Sequence, residues 1–162
     1  QSLKKQKEVS TDVAKANIAV LTLPQTNLFL QGREIPTATP RALTAIKSLK
    51  DAGVLVAAGG DNVQDPFNLV GRSDPLETAS LLILAAHEMP ESAYEMVSVN
   101  ARKAMGLDKA DVSPGSLADL VAIDAPSLRG AIADAPMSRE VFKGGVLISS
   151  SRQTTQMSPE GL

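Results

Sequence analysis

The chain has 162 residues, a length that suits one ordinary domain with a hydrophobic core. Hydrophobic residues make up 43% and charged residues 21%, and no apolar run approaches the roughly 20 residues of a membrane-spanning helix. A net charge of −2 with scattered Lys and Arg argues against a nucleic-acid-binding surface, and the absence of Cys excludes disulfides and thiolate ligands.

The first part of the chain predicts a helix followed by a strand. Residues 3–16 place apolar side chains at helical spacing, and residues 18–23, IAVLTL, are typical of a short strand that is buried on both faces. Pro24 ends this strand because proline supplies no donor to a sheet. A polar loop is expected from Gln25 to about Thr39.

A second unit of the same kind follows. Thr39 and Pro40 predict the N-cap and the first residue of a helix, which Gly53 ends. Residues 54–58, VLVAA, then predict a second continuously apolar strand. Because neither strand alternates polar with apolar residues, the pattern favours an α/β fold with a parallel sheet covered by helices.

The clearest helix signal lies in the middle of the chain. Asp74 is the predicted N-cap, Pro75 the first helical residue, and Glu77 occupies the capping-box position. Pro90 ends this helix, and residues 91–107 predict a further helical pair.

The pattern changes near residue 110, where short strands replace the helices. Residues 119–124 predict a strand, and residues 139–149 predict a hairpin with Gly144 and Gly145 in its turn. The remaining residues lack apolar periodicity and predict a flexible tail. We therefore expect an α/β segment at residues 1–110, a β annex at residues 111–149 and a flexible tail at residues 150–162.

Asp61 is the strongest candidate for a chemical role. It follows the second apolar strand after Gly59 and Gly60, and in parallel α/β proteins the residues after the strands face the ligand site. Two glycines also let the backbone approach a ligand closely. An Asp that caps a turn fits the same pattern, and the spacing alone does not separate these two interpretations.

Further candidates lie in the two loops that follow the strands. Asn62, Asp65 and Phe67 share the loop after the second strand, whereas Gln31 and Arg33 follow the first strand and are expected on the same face. An arginine there could bind a carboxylate. By pattern alone, each of these residues also fits an ordinary solvated loop position.

Residues suited to bind a transition metal are scarce. The only histidine, His87, falls late on the helix that follows Asp74. A structural zinc site takes about four protein ligands and a catalytic one about three. We therefore interpret His87 as a helix-surface or packing residue.

Five segments resemble cytosine deaminase-like members of the amidohydrolase superfamily and occur in the same order. They are LPQTNLFLQGR, GGDNVQDPF, GRSDPLETASLLILAAH, NARKAMGL, and GSLADLVAIDA followed by REVFKGGVLIS. The resemblance covers about residues 2–149. It implies the C-terminal part of a (β/α)8 TIM-type barrel, with residues 18–23 as strand seven and residues 54–58 as strand eight. The strands near residues 119–148 would then belong to the flanking β-sandwich.

The resemblance also implies roles for individual residues. Asp61 corresponds to the family's strand-eight aspartate, which contacts one divalent metal, zinc or iron, and shuttles a proton from the attacking water to the leaving nitrogen. We expect Asn62, Phe67, Gln31 and Arg33 to contact the substrate. The better-known cytosine deaminases carry a second aspartate at the position of Asn62 and a tryptophan at that of Phe67, so cytosine itself is not implied.

We therefore expect part of a metal-dependent hydrolase that acts on C–N bonds of small cyclic molecules, by deamination of cytosine-, pyrimidine- or triazine-like substrates. Two alternatives stay open. One is an amidohydrolase that releases an alkylamine, and the other is a non-catalytic α/β interaction fragment in which Asp61 caps a turn.

The resemblance also bears on partners and cofactors. The family's His-x-His motif and its later histidines are absent from this sequence, so we expect the fragment alone to bind no metal tightly and to be inactive. The open sheet edges predict association with the missing N-terminal part of the barrel or with a second copy of the chain. A start at Gln1 without Met or signal peptide is typical of a piece of a longer protein, and we expect a cytoplasmic location without nucleic-acid or membrane binding.

Overall fold

The structure, a computed structural model, describes residues 2–40 and 43–157. The chain forms two compact units, Gln1–Asp108 and Lys109–Leu162. None of the described helices is long and apolar enough to cross a membrane.

The first unit combines short strands with helices. Its described residues form two strands, β1 (Val20–Thr22) and β2 (Val56–Ala58), and six helices, α1 (Leu3–Lys15), α2 (Pro24–Leu30), α3 (Ile46–Asp51), α4 (Pro75–Ala86), α5 (Pro90–Val97) and α6 (Val99–Ala104).

The two strands pair in parallel, as their apolar sequences predict. Val20 lies opposite Val56, and Thr22 lies opposite Ala58. The Gly59 N–H donates to the Thr22 carbonyl at 3.1 Å and extends the pairing beyond β2. The loops after both strands therefore leave from the same edge of the sheet.

Helices cover β2 and form most of the buried core of this unit, whereas Leu21 of β1, expected in a strand buried on both faces, is 56% exposed. On α4, Leu76, Ala79 and Leu82 are at most 4% exposed, and α5 adds Ala93 and Met96. The α5 and α6 helices contact β2. These contacts explain why all three residues of β2 are buried.

Several helix ends are where the sequence predicts them. The Asp74 Oδ1 accepts a hydrogen bond from the Leu76 N–H at 3.0 Å, and Pro75 is the first residue of α4. At the end of α3, Gly53 has a φ of +83°, and the Val54 N–H bonds the Leu49 carbonyl at 3.0 Å. These contacts satisfy backbone groups that a helix end leaves unpaired.

Two predictions for residues 24–46 are wrong. The expected polar loop begins instead as helix α2, because a proline suits the first turn of a helix, where its missing N–H costs nothing. The helix expected to begin at Thr39 and Pro40 begins at Ile46. The Thr39 hydroxyl does not cap it and donates to the Ile35 carbonyl at 2.7 Å. Residues 41 and 42 of the expected helix lie outside the described residues.

The described residues of the second unit form an antiparallel sheet in the order β3-β4-β5 and one helix. Its elements are β3 (Leu120–Ile123), α7 (Leu128–Asp134), β4 (Arg139–Lys143) and β5 (Val146–Ser151). Gly144 and Gly145 join β4 to β5 with φ values of +56° and +79°, as the predicted hairpin turn requires.

The second unit also departs from its prediction as a purely β annex. Helix α7 was not expected; Ser127 caps it by accepting a hydrogen bond from the Gly130 N–H at 3.1 Å. In addition, β5 runs to Ser151, so Ser150 and Ser151, expected in the flexible tail, pair with β4. Of the remaining tail, residues 158–162 lie outside the described residues.

Candidate functional site

Asp61 lies at the edge of the sheet where the chain leaves β2. Its side chain is exposed and its φ is +58°, a left-handed conformation that Asp tolerates better than most residues. Thr26, in the first turn of α2, donates its hydroxyl to the Asp61 Oδ2 at 3.2 Å. The structure thus joins the segment after β1 to the segment after β2 at Asp61.

A cavity of about 220 Å³ opens beside Asp61. Complete ligand pockets are commonly about 300–1,000 Å³. This cavity therefore has the size of a partial pocket. Among the residues that line it are Gln25, Gly60, Asp61, Asn62, Asn68 and Thr78.

Asp65 organises the loop that carries Asp61. Its Oδ2 accepts from the Asn62 Nδ2 at 2.5 Å, and its Oδ1 accepts from the backbone N–H groups of Phe67 and Asn68 at 2.8 and 3.1 Å. Desolvation raises the pKa of Asp65, but these three hydrogen bonds together prevail and lower it below its ordinary value. The Asp65 carboxylate is therefore ionised at neutral pH and holds Asn62 in place.

The far end of the same loop closes against Asn62. Asn68 is 6% exposed, and its Nδ2 donates to the Asn62 carbonyl at 2.9 Å. A Cβ on Gly71 would lie 2.5 Å from the Asn68 Nδ2 and 2.8 Å from the Asn62 carbonyl oxygen. Only glycine leaves room for this closure.

Gln25 connects α2 to α4 below the loop. It is 9% exposed, and its Nε2 donates to the Thr78 Oγ1 at 2.7 Å. Among the described side chains, the Gln25 Oε1 is the buried polar atom without a hydrogen-bond partner. Gln25, Thr26 and Thr78 were not identified from the sequence as site residues. The available signal was the position of Gln25 and Thr26, which lie shortly after β1.

The predicted substrate-binding residues fall into two groups. Asn62 lies in the cavity wall, and Thr26 also bonds its Oδ1 at 3.1 Å. Gln31, Arg33 and Phe67 do not line this cavity. Arg33 instead lies over the Phe29 ring, 4.9 Å from its centroid, as a cation–π pair does. A role in substrate binding stays a prediction for all four.

The described residues do not by themselves fit the divalent metal that the resemblance implies. No three His, Cys, Asp or Glu side chains in the described part of the chain form a group that could hold a metal ion. His87 is exposed at the end of α4 with a φ of +60°. The role of Asp61 as a metal ligand stays a prediction.

The chain matches proteins of known family over most of its length. Residues 11–148 match the amidohydrolase family. A pterin deaminase from Rhizobium rhizogenes (strain K84) is 33% identical over 144 residues, which cover 86% of this chain and 33% of that protein.

Two similar solved structures cover nearly the whole chain. A 5-methylcytosine deaminase from Klebsiella pneumoniae, liganded with 5-fluorocytosine, aligns with a TM-score of 0.85 and 20% identity over 99% of this chain and 40% of that one. An N-isopropylammelide isopropylaminohydrolase from Burkholderia multivorans aligns with a TM-score of 0.75 and 26% identity over 93% of this chain and 36% of that one. The chain thus spans between a third and two fifths of these relatives.

Proposed function

The chain belongs to the amidohydrolase family, and on that premise we propose that it is the C-terminal part of a (β/α)8-barrel hydrolase. Under this proposal β1 and β2 are barrel strands seven and eight, and the second unit is a share of the flanking β-sandwich. The parallel pairing of β1 with β2 and the similarity in fold to the two solved structures support this assignment.

The proposed activity is hydrolytic deamination of a small nitrogen heterocycle. Water adds to the C=N carbon that carries the amino group. A C–O bond forms, the C=N π pair moves to the ring nitrogen, and one water proton passes to the Asp61 carboxylate. Asp61 then gives this proton to the amino nitrogen, the C=N bond re-forms, the bond to the amino group breaks, and ammonia leaves. The proton of the hydroxyl left on the ring carbon moves to the ring nitrogen, and the ring carbon becomes a carbonyl. The position of Asp61 beside the cavity, after a parallel strand, is the observation that carries this proposal.

A pterin is the first substrate to test, because the 33% identical relative is a pterin deaminase. Pyrimidines and aminotriazines follow from the family resemblance. We propose that Asn62, Phe67, Gln31 and Arg33 contact the substrate, of which Asn62 has the support of lining the cavity.

Release of an alkylamine is a second candidate activity. It is favoured by the 26% identity with an isopropylaminohydrolase. The same residues would serve, since both reactions need a proton carrier at the nitrogen that leaves.

We further propose that a single divalent metal, zinc or iron, supplies water activation in the complete enzyme and that this chain alone neither binds it tightly nor turns over substrate. The lack of a three-ligand group in the described part of the chain supports this. Zinc or iron bound in a one-to-one ratio by the purified chain after dialysis would contradict it.

A product assay on the complete protein that contains this chain tests the function. Pterin, cytosine, 5-methylcytosine and N-isopropylammelide are incubated separately with the enzyme, and released ammonia and isopropylamine are measured. Ammonia from the pterin or a pyrimidine supports deamination, whereas isopropylamine alone supports the second candidate. A protein that hydrolyses none of the four substrates would favour the non-catalytic interpretation.

A further inference from the structure

The hydroxyl of Thr26 faces two acceptors in the loop after β2. It lies 3.2 Å from the Asp61 Oδ2 and 3.1 Å from the Asn62 Oδ1. A threonine hydroxyl has one proton to donate. The Thr26 hydroxyl is thus within hydrogen-bond distance of both Asp61, the proposed proton carrier, and Asn62.

The position of Thr26 at the start of α2 leaves its hydroxyl without a helical acceptor. A threonine in the interior of a helix often bonds the carbonyl four residues earlier. Thr26 is the third residue of α2, and the residue four positions earlier, Thr22, belongs to β1 and lies before the helix. The Thr26 hydroxyl is directed across to the loop after β2.

The amide of Asn62 is oriented from its other side. Its Nδ2 donates to the Asp65 Oδ2 at 2.5 Å, and the backbone N–H groups of Phe67 and Asn68 hold the Asp65 carboxylate. Because the nitrogen end of the amide is bonded to Asp65, the oxygen end faces Thr26. A carboxylate at position 62 could not donate to Asp65 in this way.

We infer that Thr26 is a positioning residue, which fixes the orientation of the Asp61 carboxylate relative to a loop anchored by Asn62 and Asp65. Nothing in the motifs after β2 indicates this role, since Thr26 belongs to the segment after β1. The inference rests on the proposed function of Asp61. It implies that loss of the Thr26 hydroxyl lowers the rate of proton transfer and leaves the affinity for substrate unchanged.

The test compares Thr26→Val, which removes the hydroxyl at nearly constant volume, with Thr26→Ser, which keeps it. Both are made in the complete enzyme and assayed with whichever panel substrate it hydrolyses. Losing a hydrogen bond to a charged group commonly lowers a rate by about 10- to 100-fold. We expect a loss of that size in kcat for Thr26→Val with KM within about threefold, and kcat restored to within about threefold by Thr26→Ser.

The matched control is Thr11→Val, which changes an exposed threonine of α1 whose hydroxyl bonds the Lys7 carbonyl at 2.9 Å. It should leave kcat and KM unchanged. A crystal structure of the Thr26→Val enzyme supplies a readout besides activity. We expect the Asp61 carboxylate there in more than one orientation.

The outcomes separate this inference from the proposed function. An unchanged kcat in Thr26→Val, or a rise in KM alone, overturns the positioning role even if Asp61→Asn abolishes turnover. Full activity of Asp61→Asn overturns the proposed role of Asp61 itself. If Thr26→Val does not fold, Thr26→Ala is judged by the same kcat and KM criteria.

Discussion

At the scale of single residues, the loop after β2 is held by one carboxylate that carries no proposed catalytic role. Asp65 accepts three hydrogen bonds, and the Asn62 amide that it holds also bonds Thr26. These bonds restrain the shape of the loop. Pre-organisation of this kind lowers the cost of orienting catalytic groups.

The lowered pKa of Asp65 predicts a specific dependence of stability on pH. Because its pKa is lower in the folded chain than in the unfolded chain, ionised Asp65 stabilises the fold above about pH 4, and this contribution is lost as the pH falls through the folded value. We expect Asp65→Asn to lower the free energy of unfolding, measured by urea denaturation at pH 7. The difference from the parent chain should shrink below about pH 4. A difference independent of pH between 7 and 3 would contradict this account.

The sequence identifies some of these residues and not others for a physical reason. Asp61 could be proposed because the signals that indicate it, the apolar run and the two glycines, directly precede it in the sequence. Thr26 and Gln25 could not, because their partners Asp61 and Thr78 lie 35 and 53 residues further along the chain. Such bonds become visible only once β1 and β2 are paired.

At the scale of elements, α4 contributes several buried side chains to the core. Leu82 is fully buried on the inner face of α4, whereas Leu84, two residues further along the same helix, is 70% exposed. The two leucines form a matched pair of test positions.

We expect Leu82→Ala to lower the free energy of unfolding by about 2–5 kcal/mol, because it removes buried methyl groups and leaves a cavity. Leu84→Ala should change it by less than about 0.5 kcal/mol. Urea denaturation monitored by circular dichroism measures both. Equal effects of the two substitutions would show that α4 does not pack as described.

Local signals decided which elements the sequence could predict. Asp74, Pro75 and Gly53 mark helix ends through bonds to residues within a few positions, and these ends are where they were expected. Thr39 and Pro40 carry the same signal, but the Thr39 hydroxyl bonds the Ile35 carbonyl instead of capping a helix. A cap motif thus predicts a helix only when the following residues also pack.

At the scale of the whole molecule, the first unit presents a narrow sheet. Within the described part of the chain, β1 and β2 each pair only with the other. Ile18 and Leu21, before and within β1, are 55% and 56% exposed. Unpaired strand edges with apolar side chains favour association.

We therefore expect the isolated chain to bind a second copy of itself or the proposed N-terminal part of the barrel. Sedimentation of the chain alone should give a mass above that of one chain, and Leu21→Lys should reduce it to a monomer. Leu84→Lys, an exposed leucine on α4, is the matched control. A parent chain that stays a compact monomer, and that does not bind the remaining part of the barrel when the two are mixed, would contradict this expectation.

The proposed role of Asp61 as proton carrier is tested most directly by measuring kcat of the Asp61→Asn enzyme. Asn keeps the size and tolerates the same left-handed backbone, so the fold should persist with an unchanged melting temperature. The account predicts a kcat lower by about 10²- to 10⁴-fold, the usual share of a general acid–base group, whereas Asp12→Asn on the exposed face of α1 keeps full activity. An Asp61→Asn enzyme that turns over substrate at the parent rate would contradict it.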